Sequence, residues 1–89
     1  MSKTNSDYYV LIVKQNGIIK TNTFNYGEES QMIALFTTTR LLGFIDDAVL
    51  LKNDECIAFG EQYVYSAAMN LVFSYHINNQ GDTNVRTPP

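Results

Sequence analysis

Proline is missing from the chain until Pro88 and Pro89, so no strand or helix interior is broken by one. Tryptophan is absent, and cysteine and histidine occur once each, as Cys56 and His76. A lone thiol cannot close an internal disulfide. One Cys and one His cannot supply the ligand spacing of a zinc site either. With no cationic or His neighbour in sequence to lower its pKa, Cys56 is expected to be a small buried thiol in a strand.

Charge is also scarce. Six basic and nine acidic residues make up 17% of the chain against the usual ~25%, and no window gathers Lys or Arg on one face. That excludes the electrostatic footprint of a nucleic-acid-binding protein. The longest run without a charged residue, 62–81, is interrupted by Ser66, Asn70, Ser74 and His76, so it does not read as a membrane span. The opening MSKTNSD lacks the apolar core of a signal peptide, which points to a cytoplasmic protein. A glycine-rich phosphate loop, a nucleophile elbow and heptad repeats are all absent, and with them the usual signs of an enzyme or a cofactor.

What remains is a short, apolar chain. Its 89 residues make one domain, of which 45% are hydrophobic, and a domain this size buries only about 60–65% of its unfolded surface. Few charges and a small body leave apolar surface to be covered, so a homo-oligomer is expected.

Residues 1–6 and 78–89 are polar and read as tails around a domain at 7–77. Within it, DYYVLIVKQNGIIKTNTFNY holds two strand-like runs joined by Asn16 and Gly17, the pair that a type I′ turn prefers. That turn sets Tyr9 opposite Phe24, Leu11 opposite Asn22 and Val13 opposite Lys20. The first strand is apolar on both faces, which predicts an inner position or a part in an interface. Glu28 and Glu29 suit the start of a helix to Leu42, with Gly43 expected to close it in a left-handed conformation. AVLLKNDECIAF reads as a second hairpin turning at Asn53 and Asp54, with Lys52 opposite Glu55 and Leu51 opposite Cys56. EQYVYSAAMNLVFSYHI carries Val64, Ala68, Leu71, Val72 and Tyr75 along one stripe, predicting a helix over 61–77. The expected fold is α+β, ordered ββαββα, with an antiparallel sheet of about four strands and two helices on one face. VLIVKQNGII aligns on AVLLKNDECI at an offset of 38 residues, a match over ten residues that favours coincidence over duplication.

Arg40 stands out in the segment ALFTTTRLLGF, where it projects between Ile33 and Phe36 on a helix apolar almost all round. Such a helix is covered on more than one side, which places Arg40 and Phe36 at or near an interface. The arginine's stem would pack on Phe36 and its head reach Asp46, Asp47 or a partner's carboxylate. The other reading makes Arg40 an anion clamp with the hydroxyls of Thr37, Thr38 and Thr39. Asp46 and Asp47 suit turn capping better than metal binding. His76 has no orienting acid in a known pattern, so no catalytic residue and no metal ligand is assigned. The six tyrosines are many for this length, and Tyr8, Tyr63 and Tyr65, at element ends, are interface candidates.

The function expected from these features is non-catalytic binding of another protein. Small, Asn-rich chains without motifs are common among viral and mobile-element accessory genes, which makes inhibition of a host defence or regulatory factor the sharper expectation. The alternative is a small-molecule binder that holds an anionic, nucleotide-like ligand between Arg40, the threonines and tyrosine rings at an oligomer interface.

Overall fold

A computed structural model describes residues 6–85, with side chains through residue 78. The order is β1 (Tyr8–Gln15), β2 (Ile18–Asn25), α1 (Glu29–Leu42), β3 (Asp47–Lys52), β4 (Glu55–Phe59) and α2 (Glu61–Val85). The four strands form an antiparallel sheet in the order β2-β1-β3-β4, and both helices lie on one face.

Both hairpins follow their turn chemistry. Asn16 and Gly17 adopt φ of 56° and 77°, and Asn53 and Asp54 adopt 51° and 71°, the positive values that a two-residue hairpin turn requires. The resulting registers pair Tyr9 with Phe24, Leu11 with Asn22, Lys52 with Glu55 and Leu51 with Cys56, as the sequence predicts. Beyond Cys56 the ladder slips at Leu50/Leu51, so that Ala58 faces Leu50 and Ile57 is the extra residue of a bulge.

β1 is an inner strand. Tyr9, Leu11 and Val13 point to the helices and are buried, together with Ala48 and Leu50 of β3. Met32 and Phe36 of α1, Val64 and Ala68 of α2, and Ile45 of the α1–β3 loop complete the core.

Two expectations about helix ends are corrected. Gly43 ends α1 in an extended conformation (φ 159°, ψ −176°) rather than a left-handed one. Its carbonyl oxygen accepts from Gln15 Nε2 at 3.0 Å, which ties the chain back to β1 before it turns to β3. α2 runs to Val85 instead of stopping at Ile77, because the first proline comes only at Pro88 and a formed helix gains one backbone hydrogen bond per added residue. The N-terminal tail, save Ser6, and residues 86–89 lie outside the described residues.

The 38-residue sequence match is out of step with the turns. Asn16-Gly17 and Asn53-Asp54 stand 37 residues apart, an offset that matches Leu11 to Ala48 and Val13 to Leu50, all buried under the helices. An offset of 38 would set Leu11 on Val49, which points to the opposite face.

Replacing Phe36, fully buried, by Ala is expected to cost about 3–5 kcal/mol in urea unfolding. Leu41→Ala, at a site 82% exposed on the same helix, should stay within about 0.5 kcal/mol.

Candidate functional site

α1 is fastened to β1 at both ends. At its start Glu29, only 1% exposed, accepts from the Tyr9 hydroxyl at 3.0 Å through Oε2 and from the Gly27 amide at 3.0 Å through Oε1. Near its end Gln15 Nε2 donates to the carbonyls of Thr39 (2.9 Å) and Gly43 (3.0 Å). Burial, and then the hydrogen bond to the Glu29 carboxylate, push the Tyr9 phenol well above its ordinary range.

α1 therefore lies along β1, α2 lies over β3 and β4, and the helix-facing side of β2 is left bare except at Phe24, which packs against the core. Ile18, Lys20 and Asn22 are exposed. Between β2 and α1 runs a cleft of about 260 Å³ with Leu11, Val13 and Lys20 on its floor and Leu35, Thr38 and Leu42 on its wall.

Among the described residues no helix lies on the opposite face of the sheet. Val10 faces Leu51, Ile12 faces Val49, Lys14 faces Asp47 and Val49 faces Phe59, so the apolar residues of this face are contiguous across three strands. Ile19, cross-strand from Lys14, extends the patch onto β2. Val10, Ile12, Val49 and Leu51 are half-buried, while Ile19 and Phe59 are 64% and 61% exposed. Lys14 and Asp47 sit opposite one another at one end, so their charges offset. Cys56 also lies on this face and is exposed, correcting the expectation of a buried thiol, because β4 is an edge strand with nothing packed on that side.

Arg40 turns toward α2. Its Nε meets Glu61 Oε2 at 2.8 Å, and its guanidinium carbon lies 4.3 Å from the centre of the Tyr65 ring. Its carboxylate partner is Glu61 rather than Asp46 or Asp47. Asp46 instead accepts from the Gly17 amide (3.2 Å), bracing the first hairpin turn.

The residues of the anion-clamp reading thus divide. Thr38 and Thr39 line the cleft, Thr37 is exposed outside its lining, and Arg40 is on the other side of the helix. No tyrosine lines the cleft among the described residues.

Of the interface candidates, Phe36 is fully buried, and Tyr65 is stacked on it with ring centres 6.4 Å apart. Tyr63 is 73% exposed on α2, and Tyr8 stands at the end of the open sheet face beside Asp54, whose hydrogen bond raises its phenol pKa. His76 packs on Tyr75 at the Asp7 end of β1, whereas Asp46 bonds to Lys14 at the other end, roughly 20 Å away. The structure does not bring His76 together with either aspartate.

Sequence reasoning found Arg40 and the second apolar side of β1, Val10 and Ile12 behind Tyr9, Leu11 and Val13, but not the extension of that side across β3 and β4 to Val49, Leu51 and Phe59, nor the cleft.

Among the described residues no group of three or more His, Cys, Asp or Glu side chains could hold a metal, and no helix is long and apolar enough to cross a membrane. No protein-family model, curated protein or solved structure matches the chain.

Arg40→Ala is expected to lower stability by about 1 kcal/mol, since the ion pair is one-third exposed and the ring contact adds a similar small amount. A double-mutant cycle with Glu61→Gln measures the pair. Because the folded-state pKa of Tyr9 is raised, its contribution is complete below the unfolded value near 10 and is lost as pH rises beyond it. Wild-type stability should therefore fall more steeply above pH ~10 than that of Tyr9→Phe, as followed by thermal unfolding.

Proposed function

We propose that the chain is a non-catalytic protein-binding module whose open sheet face seats on an apolar surface of another protein. The observation that carries this reading is the contiguous patch of Val10, Ile12, Ile19, Val49, Leu51 and Phe59, with no charge on it beyond the Lys14–Asp47 pair. Monomers rarely leave a sheet face of this composition to water, and a rigid apolar face with a polar rim is what a protein partner fits. The rim is polar, with Thr21 and Thr23 of β2 on one side and Tyr8 at one end.

Occupying a surface on a partner is enough to inhibit it, and inhibition of a host or regulatory factor is the sharper form of this proposal. It needs no reacting group on this chain.

A second reading is supported by the cleft between α1 and β2. Lys20 and the Thr38 hydroxyl supply donors for an anionic small molecule over the apolar floor of Leu11 and Val13, while the Thr39 hydroxyl is taken by the Leu35 carbonyl at 2.8 Å. Arg40, held by Glu61, takes no part in that version.

The two readings separate by mutation. Val10→Lys and Leu51→Lys on the open face are expected to release the proteins that wild type captures from lysate of its source cells, while Lys20→Ala keeps them. Equal capture by all variants would remove the sheet-face reading. A native mass spectrum with a bound mass that disappears in Lys20→Ala, but persists in Leu51→Lys, would put the cleft in its place.

A further inference from the structure

The two edges of the sheet differ. β4 is five residues long, bulged, and begins with Glu55, all features that discourage another strand from adding to it. β2 is eight residues long, unbulged against β1, free of proline, and carries a single charge, Lys20. Its side chains are exposed except at Phe24, so among the described residues nothing covers it.

The hairpin decides which backbone groups of β2 are free. A two-residue turn makes Gln15 and Ile18 a hydrogen-bonded pair, and alternate pairs follow: Val13–Lys20, Leu11–Asn22 and Tyr9–Phe24. The bond from the Tyr26 amide to the Asp7 carbonyl (3.0 Å) continues the same alternation. Ile19, Thr21, Thr23 and Asn25 therefore point their N–H and C=O groups outward. Asn25 is already engaged, its amide donating to Glu28 Oε1 at 2.8 Å. The unpaired outer edge is Ile19, Thr21 and Thr23.

We propose that a second copy of this chain pairs with this edge, antiparallel about a two-fold axis at Thr21, joining the two sheets into one. Every symmetric register keeps the helices of both copies on one side, and three of them, centred on Lys20, Thr21 or Asn22, pair two or more of these free residues. Centring on Lys20 would set the lysine opposite its own copy, a like-charge pair. Centring on Asn22 would demand the Asn25 amide that Glu28 holds.

Centring on Thr21 uses Ile19, Thr21 and Thr23 alone, each pair exchanging both of its main-chain bonds. It places Ile18 opposite Phe24 of the second copy, Lys20 opposite Asn22 and Thr21 opposite Thr21. Apolar meets apolar, the charge meets an amide, and threonines meet, all favourable cross-strand combinations. The two clefts beside α1 then open onto one shared floor, which pairing leaves uncovered.

The test reads mass and cross-linking. Wild type is expected at twice the chain mass in native mass spectrometry and light scattering across the micromolar range. Thr21→Pro removes the central outward donor while leaving the bonds to β1 in place, and should give the single-chain mass with an unchanged far-ultraviolet circular dichroism spectrum. In a Cys56→Ser background, Thr21→Cys should form a disulfide dimer, since opposed residues of a hydrogen-bonded pair stand about 5.5 Å apart, within disulfide range. Thr23→Cys should not, its copies being offset by roughly 13 Å along the strands. A wild-type monomer, a dimer that persists in Thr21→Pro, or cross-linking by Thr23→Cys as efficient as by Thr21→Cys would each overturn the proposal.

Discussion

The position of α1 along β1 is the constraint on which the rest of the surface depends. Tyr9 and Gln15 lie on the same face of β1, about 20 Å apart along the strand, and Glu29 and Gly43 lie about as far apart along the helix. The match of lengths lets both side-chain ties form at once. A helix held over β1 leaves β2 bare beyond Phe24, and α2 lies over β3 and β4. The cleft, the bare strand edge and the uncovered sheet face all follow from two helices shared among four strands.

The tie at Glu29 is a buried carboxylate, which ordinarily destabilises a fold. Here one oxygen receives a phenol and the other a backbone amide, and the group stands in the first turn of α1, where the helix dipole favours negative charge. Its geometry specifies where the helix starts, a role that an apolar residue of the same size could not play, since it would leave the Gly27 amide without that acceptor.

Most of the fold was legible in the sequence because its turns are chemically explicit. Asn16-Gly17 and Asn53-Asp54 set two registers residue by residue, and the doubly apolar β1 announced an inner strand. Helix ends were less legible. Gly43 adopts an extended conformation because its carbonyl is wanted by Gln15, a tertiary demand that no local pattern encodes. The candidate surfaces were harder still. Arg40 drew attention as an isolated charge, yet its partner Glu61 is 21 residues away and opens the other helix. The surplus apolar side of β1 was legible, but alternation along a strand shows that two sides are apolar, not which of them the helices will take. Phe36 looked like an interface residue on a helix apolar all round, and the choice between inside and outside was made by the rotation of α1 that Glu29 and Gln15 impose.

The closing of Gly17 onto Asp46 has a consequence in time rather than in space. Both hairpins are local and can form within microseconds of the chain becoming available, whereas pairing β1 with β3 closes a far longer loop through α1. Joining β1 to β3 is therefore the slow, non-local step that this topology demands. Once made, it is clamped at both ends, by the Gly17 amide on Asp46 beside Lys14 and by Asn53 on Asp7 and Tyr8 at the other.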